Sequence, residues 1–218
     1  MSGAASGIGR ALCLALTRAG AHSVLCLDLD EHGAEATTDG LRQARPDIQA
    51  QATCCDVSNR ASLQAALRAA GRVDGFFANA GIATPGDCST AIDEWEKTIA
   101  VNTMQIVHAA DVLVPPMLER GGGAFVVTAS AAGLLTQLGS APYTMTKHAA
   151  VGLAEWLAVS YGDAGLNVCC VCPQGVRTPM ITGADDGDLL ASAAGIDGLL
   201  EPEDVANDAL RCLEEGGT

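Results

Sequence analysis

Short apolar segments alternate along this chain with longer amphipathic segments, and this alternation limits the possible folds more than any other feature. The apolar runs are typical of buried parallel strands and lie at residues 23–28, 48–55, 73–78, 123–129 and 167–172. Helical periodicity is found at residues 8–20, 31–45, 59–70, 92–118, 142–161 and 202–214. This order predicts βαβ crossovers and one α/β domain over residues 1–218. We expect a doubly wound, Rossmann-like parallel sheet in three αβα layers.

Three glycines, Gly3, Gly7 and Gly9, surround the start of the first predicted helix. Glycine permits a sharp turn and a close approach of the backbone to a ligand, and a helix N-terminus offers N–H donors to an anion. The spacing therefore predicts a phosphate site. A glycine-rich turn before an ordinary helix would have the same pattern.

Asp28 ends the next apolar run, about twenty residues beyond the glycines. A carboxylate at that position can accept both ribose hydroxyls of an adenosine and would repel a 2′-phosphate, so it favours NAD over NADP. Alternatively, the acids from Asp28 to Glu31 could simply begin a helix, because acids suit its first turn. Asp30 is the better candidate for the helix cap, so both interpretations could hold for different residues.

Two further polar turns follow predicted strands. Asp56-Val57 ends one run and Asn79-Ala80-Gly81 ends the next. Each would be an ordinary turn by itself, but ligands of open α/β sheets bind at the carboxyl ends of the strands. Their common location therefore predicts that both turns border one cleft.

Ser130, Tyr143 and Lys147 form the candidate chemical group. Tyr143 and Lys147 are four residues apart, so on a helix they share one face, and the ammonium can favour the ionised phenol. Ser130 ends a predicted strand and could hydrogen-bond the same substrate oxygen. The alternative is a packed tyrosine ring with a surface lysine extending past it.

Taken together in order and spacing, these motifs resemble the short-chain dehydrogenase/reductase family over nearly the whole chain. The matching segments are Gly3-Ala4-Ala5-Ser6-Gly7-Ile8-Gly9, Asp28, Asp56-Val57, Asn79-Ala80-Gly81, Asn102, Ser130, Tyr143, Lys147 and Pro173-Gln174-Gly175-Val176-Arg177-Thr178-Pro179. The resemblance implies a catalytic tetrad of Asn102, Ser130, Tyr143 and Lys147. In it, Tyr143 would exchange the proton, Ser130 would stabilise the substrate oxygen, Lys147 would hold the nicotinamide ribose and Asn102 would shape a water relay.

The same resemblance implies NAD as the cofactor and a secondary alcohol or ketone as the substrate. Val57 and Asn79 would line the adenosine side, and Val176 and Thr178 would contact the nicotinamide half. The full implied cofactor set is Gly3, Ser6, Gly7, Ile8, Gly9, Asp28, Asp56, Val57, Asn79, Ala80, Gly81, Tyr143, Lys147, Pro173, Val176 and Thr178. The family also implies a homodimer or homotetramer built on the helices at 92–118 and 142–161.

The chain departs from the family pattern in three places. An apolar strand usually precedes the glycine loop, whereas Met1-Ser2 stand here where that strand should end. We therefore expect the central first strand to be absent from this sequence, with the natural chain beginning upstream at a start misread from an internal valine codon. We also expect the last edge strand to be absent after Thr218. Gln174 replaces the glycine of many relatives, which we expect to alter the pocket wall.

The amino-acid composition limits which partners this chain could bind. The net charge of −14 argues against nucleic acid and anionic membranes, since both repel an acidic surface. The cysteines lie mostly in apolar runs, which predicts reduced, buried thiols in a cytoplasmic protein, and the Cys170-x-Cys172 pair has no companion ligands at metal-site spacing. Neither a spanning helix nor a signal peptide is predicted. Residues 178–200 would form a substrate-side loop, with 182–200 a candidate mobile lid, and a neutral, apolar substrate is favoured.

Three functional hypotheses follow. The first is an active NAD-dependent dehydrogenase or reductase acting on CH–OH groups. The second is a truncated or degenerate family member that binds NAD weakly without turnover. The third is a non-enzymatic NAD-binding interaction protein, which would have no need of Ser130 and Tyr143 together.

Overall fold

The computed structural model describes residues 1–183 and 198–216 of the 218-residue chain. Its strands are β1 (Ser23–Asp28), β2 (Gln49–Cys54), β3 (Gly75–Ala78), β4 (Gly123–Thr128) and β5 (Leu166–Val171). Its helices are α1 (Gly7–Arg18), α2 (Glu31–Ala44), α3 (Arg60–Ala69), α4 (Ile92–Ile99), α5 (Gln105–Glu119), α6 (Ala141–Tyr161), α7 (Pro179–Thr182) and α8 (Pro202–Glu214). Strands and helices alternate as the sequence predicts. Residues 184–197, most of the predicted lid, lie outside the described part.

All strand pairs of the described sheet are parallel. β1 pairs with β2 from Ser23 opposite Gln49, while β4 pairs with both β3 and β5. The strands thus form one pair and one triplet, with the chain start between them. Ser2 bridges to Leu27 of β1, and its N–H donates to the Phe77 carbonyl of β3 at 3.0 Å. Met1 and Ser2 therefore occupy the space between β1 and β3, where the sequence predicts the end of a central strand.

Apolar side chains form a core on each face of the sheet, which gives the three predicted layers. Neighbouring residues of a strand point to opposite faces, so Phe76 packs into one core and Phe77 into the other. The Phe76 core lies under α3, α5 and α6, and its ring centroid is 5.5 Å from that of Phe125. The Phe77 core lies under α1, α2 and α8. Small residues such as Ala154 and Ala209 let the helices pack close to the sheet.

The sequence predicts one continuous helix over 92–118, and this prediction is wrong in one respect. It is divided into α4, a π-helical segment from Ala100 to Met104, and α5. A π-helical turn holds one extra residue and often occurs at functional sites. Here it contains Asn102, whose side chain is buried against a loop at the carboxyl end of the sheet.

Candidate active site

A cleft of about 360 Å³ opens at the carboxyl ends of the strands. It is lined by every residue of the predicted site except Gly9 and Asn102. These lining residues are Gly3, Ser6, Gly7, Ile8, Asp28, Asp56, Val57, Asn79, Ala80, Gly81, Ser130, Tyr143, Lys147, Pro173, Val176 and Thr178. Segments far apart in the sequence thus meet at one sheet edge, as the strand-end positions of the motifs predict.

The glycine loop forms one end of the cleft. Gly3 and Gly7 have φ of +67° and +50°, a region that other residues rarely adopt. A Cβ on Gly9 would lie 1.9 Å from the Gly3 carbonyl oxygen, so only glycine fits there. Gly9 therefore supports the loop from inside α1 and does not face the cleft. At the helix start, Ser6 makes no side-chain capping bond, which leaves the first N–H groups of α1 available to a ligand.

Asp28 lies beside this loop and is fixed by backbone donors. Its Oδ2 accepts a hydrogen bond from the Ala5 N–H at 2.8 Å, and its Oδ1 accepts one from the Asp30 N–H at 3.0 Å. Asp30 caps α2, because its side chain accepts from the Gly33 N–H at 3.0 Å. The two acids therefore have separate roles: Asp28 lines the cleft, and Asp30 begins the helix.

Asn102 lies behind the cleft and fastens the loop that follows β3. Its Oδ1 accepts from the Ile82 N–H and its Nδ2 donates to the Ile82 carbonyl, both at 2.9 Å. Nδ2 also donates to Thr146 Oγ1 of α6 at 3.0 Å. One carboxamide thus joins the π-helical turn, the loop after β3 and α6. The predicted water relay stays a prediction.

Ser130 follows β4 and lines the same cleft as the glycine loop. Its Oγ accepts a hydrogen bond from the Ala132 N–H at 3.2 Å, which caps a short 3₁₀ helix over Ala131–Gly133. The Ala131 N–H donates to the Pro173 carbonyl at 2.9 Å and so ties the Ser130 turn to the end of β5. The hydroxyl hydrogen of Ser130 remains available to a substrate oxygen.

Tyr143 and Lys147 lie in the first two turns of α6, and both are buried, with exposed fractions of 8% and 5%. The Lys147 Nζ is 5.5 Å from the centroid of the Tyr143 ring and donates to the Thr128 carbonyl at 2.9 Å. Among the described residues, Lys147 forms no ion pair. The alternative of a surface lysine is therefore wrong, because this side chain is buried at the cleft and has no carboxylate partner in the described part of the chain. Burial of this kind is common where a charge has a function.

Gly81 lies close to two buried side chains, Lys147 and Asn102. A Cβ on this residue would lie 3.6 Å from Lys147 Nζ and 3.4 Å from Asn102 Oδ1. The backbone of the Asn79-Ala80-Gly81 turn therefore runs directly beside the predicted catalytic residues. A larger residue at position 81 would narrow the cleft between them.

Comparison with known proteins bears on this geometry. A family model described as short chain dehydrogenase matches residues 1–188. The chain belongs to the short-chain dehydrogenase family. Levodione reductase from Leifsonia aquatica is 34% identical over 188 residues, which are 83% of this chain and 70% of that protein. Cyclohexanol dehydrogenase from an Acinetobacter species is 30% identical over 210 residues, covering 94% of this chain and 83% of the relative.

Solved structures of short-chain dehydrogenases have the same fold. The crystal structure of levodione reductase superposes with a TM-score of 0.90 and 28% identity, covering 97% of this chain and 88% of that one. A short-chain dehydrogenase from Burkholderia phymatum in complex with NAD gives a TM-score of 0.89 and 29% identity, covering 99% and 85%. The predicted three-layer fold is confirmed by these similarities.

Gln105 supports the site of this short-chain dehydrogenase from behind the cleft lining, and sequence reasoning missed it. It is buried in the first turn of α5, where its Oε1 accepts from the Ser2 hydroxyl at 2.8 Å. Its Nε2 donates to the carbonyls of Val101, at 2.7 Å, and Ala80. Ser2 Oγ in turn accepts from the Asn79 N–H at 3.0 Å. The sequence signal that could have indicated Gln105 is a polar residue on an otherwise apolar helix face.

The cysteines are all unpaired, as predicted, but not all are buried. Cys13, Cys26, Cys55 and Cys169 are buried, whereas Cys54 and Cys88 are exposed. Cys54 ends β2, which among the described strands pairs with β1 alone and so forms a sheet edge. In the described residues, no three His, Cys, Asp or Glu side chains cluster as metal ligands. None of the described helices is both long and apolar enough to cross a membrane.

Proposed function

We propose that this chain transfers a hydride between NAD(H) and a neutral secondary alcohol or ketone, with Tyr143 as the general acid and base. The observation that carries the proposal is the buried Tyr143–Lys147 pair, which lies in the cleft with Ser130 and in which Lys147 has no carboxylate partner among the described residues. Family membership supports it, since the levodione and cyclohexanol relatives are named as a reductase and a dehydrogenase.

The glycine end of the cleft fits a dinucleotide. A Cβ on Gly7 would lie 2.9 Å from Thr178 Cγ2, so the absence of a side chain lets the loop pack closely against the residue before α7. The uncapped N–H groups of α1 suit a pyrophosphate, and the Asp28 carboxylate suits a ribose diol. Both Asp28 oxygens are held by backbone N–H groups, so the carboxylate cannot turn away from a 2′-phosphate. This favours NAD over NADP.

At the catalytic end, the residues of this chain hold the substrate oxygen and move its proton. The Tyr143 hydroxyl gives its proton to a ketone oxygen, and in the reverse direction the Tyr143 phenolate takes the proton of an alcohol; Ser130 Oγ donates a second hydrogen bond to the same oxygen. Lys147, positioned by the Thr128 carbonyl, places its charge 5.5 Å from the centroid of the Tyr143 ring and can hydrogen-bond a ribose hydroxyl. The nicotinamide supplies the hydride chemistry when bound.

Part of the cleft lining is apolar. Ile82, Val101, Met180 and Ile181 line the cleft, and the basic residue that lines it is Lys147, already placed at the catalytic group. This lining suits a neutral, apolar substrate in preference to a phosphate or carboxylate. Cyclic alcohols and ketones are the first compounds to test, because levodione and cyclohexanol appear in the names of the relatives.

Two further properties belong to the proposal. Trp156 and Val159 are exposed on α6, with exposed fractions of 57% and 88%, and they suit an interface with α6 of a second copy in a homodimer or homotetramer. Light scattering would test this. The nine unpaired thiols suit a cytoplasmic location, where thiols stay reduced.

Titration with NAD and NADP, followed by thermal unfolding, tests the cofactor. At a concentration of about 100 Kd, NAD should add about 2.7 kcal/mol to the free energy of unfolding, and NADP should add much less. A turnover screen over cyclic alcohols, steroids and 3-hydroxyacyl thioesters with each cofactor tests the reaction. Equal stabilisation by both cofactors would contradict the NAD preference, and stabilisation without turnover of any alcohol would contradict the activity.

A further inference from the structure

Two cysteines at the end of β5 lie together beside the candidate catalytic residues. Cys170 and Cys172 are two residues apart in extended chain, so both side chains face the core under α6. Their sulfur atoms are 3.9 Å apart. Cys169 points to the opposite face and is fully buried in the other core. Neither sulfur of the pair has a part in the hydride transfer proposed above.

The surroundings of the pair make the two thiols unequal. The pKa of Cys172 is lowered to about 7, first by a hydrogen bond from the Cys170 thiol, and also by the Ser130 N–H and the Lys147 ammonium. The pKa of Cys170 is raised, first by its hydrogen bond to Cys172 and then by burial. A substantial fraction of Cys172 is therefore thiolate near neutral pH, while Cys170 stays protonated. Thiolates react with peroxides and thiols do not.

The solvent exposure of Cys170 and Cys172 lies between that of the buried cysteines and that of the exposed ones. Cys170 and Cys172 are partly exposed, whereas Cys169 is buried and Cys54 and Cys88 are open to solvent. A small oxidant can reach a partly exposed thiolate. The neighbouring residues Ser130 and Pro173 both line the cleft.

We propose that Cys170 and Cys172 are a peroxide-sensitive dithiol that closes to a disulfide and thereby switches off the adjoining catalytic site. In the first step the Cys172 thiolate attacks a peroxide oxygen, the O–O bond breaks, and sulfenic acid and hydroxide form. In the second step the hydroxide takes the Cys170 proton to form water, the Cys170 thiolate attacks the sulfenic sulfur, the S–O bond breaks, and a disulfide and hydroxide form. The peroxide is reduced and the two thiols are oxidised by two electrons.

The effect on the site follows from what is attached to the end of β5. To bond, the sulfur atoms must approach each other from 3.9 Å, which pulls on the chain between Cys170 and Pro173. The Pro173 carbonyl accepts from the Ala131 N–H at 2.9 Å, so this pull moves the turn that carries Ser130. A misplacement of about 1 Å can reduce turnover by about 100-fold. This consequence rests on the proposed function, whereas disulfide formation does not.

Peptide mass mapping of the whole protein tests the chemistry without any activity measurement. Trypsin releases residues 148–177 as one peptide with Cys169, Cys170 and Cys172. After treatment with hydrogen peroxide, this peptide should lose two hydrogen atoms and regain them with dithiothreitol. Cys169→Ala should behave like the wild type, while Cys170→Ser and Cys172→Ser should both abolish the loss. In Cys170→Ser, a cyclic dione probe for sulfenic acid should label Cys172.

Activity is then measured on the same samples. Peroxide should lower the turnover of the wild type by about 100-fold, reversibly with dithiothreitol, and should leave Cys172→Ser at its untreated rate. Oxidation of Cys54 and Cys88 alone, or loss of two hydrogen atoms in Cys172→Ser, would overturn the proposal. A disulfide that leaves turnover unchanged would overturn the switch. An inactive reduced protein that still forms the disulfide would contradict the proposed function and leave the dithiol chemistry intact.

Discussion

The two ends of the cleft are built from different parts of the chain. At the cofactor end, formed by Gly3, Gly7 and the start of α1, the ligand would meet backbone N–H groups that are accessible because side chains are absent. At the proposed catalytic end, formed by Ser130, Tyr143 and Lys147, the groups that would react are side chains, of which Tyr143 and Lys147 are buried. Binding by backbone groups depends on the conformation of the loop, whereas a reaction at side chains depends on their functional groups. We therefore expect substitutions at the cofactor end to impair NAD binding and substitutions at the other end to impair turnover.

The largest effect is expected from Tyr143→Phe. This change removes one hydroxyl and keeps the ring in place, so the proton transfer is lost while the fold is retained. Because general acid–base catalysis contributes about 100-fold to 10,000-fold, turnover should fall by that factor. Stabilisation by NAD in a thermal unfolding titration should change far less.

The matched control for Tyr143→Phe is Tyr161→Phe, which changes the other tyrosine of the chain, at the far end of α6. It should retain turnover. If Tyr143→Phe lost NAD binding and turnover in the same proportion, the catalytic end could not be separated from the cofactor end, and the assigned role of Tyr143 would be wrong.

Gly9→Ala tests the cofactor end through its backbone. The new Cβ would lie 1.9 Å from the Gly3 carbonyl oxygen, so the loop must move away from α1. Overpacking of this kind costs about 1–3 kcal/mol of folding stability, and the displaced loop should no longer bind NAD. Urea unfolding and an NAD titration give the two quantities. Gly40→Ala, in α2 with no atom near the added Cβ, should unfold at higher urea and bind NAD normally.

Asp28→Ser tests which cofactor the cleft prefers. Hydrogen bonds to a charged group contribute about 1.5–3 kcal/mol, so the Kd for NAD should rise by about tenfold to 100-fold. Removing the negative charge should at the same time improve binding of NADP. The ratio of kcat/KM for the two cofactors measures both changes. An unchanged ratio would show that Asp28 does not contact the ribose.

The sequence predicted local features of this site well because local chemistry determines them. Glycine spacing indicates a tight turn before α1, and strand ends indicate the sheet edge, so Gly3, Asp28 and Asn79 were all expected at the cleft. Two features depend on contacts between distant segments and were not predictable. Gln105 pairs with Ser2, 103 residues away, and Asn102 pairs with Ile82 across a π-helical turn. Periodicity carries no information about such partners.

The smallest effect is expected from Asp30→Ala, which separates two acids that the sequence left ambiguous. Asp30 caps α2 through the Gly33 N–H, and its own side chain does not line the cleft. Loss of an N-cap costs about 1 kcal/mol, so the free energy of unfolding measured with urea should fall by that amount. The Asp30 backbone N–H still donates to Asp28, so the kcat/KM ratio for NAD and NADP should be that of the wild type. A changed ratio would mean that the carboxylate of Asp30 also faces the cofactor, and the division of roles between Asp28 and Asp30 would fail.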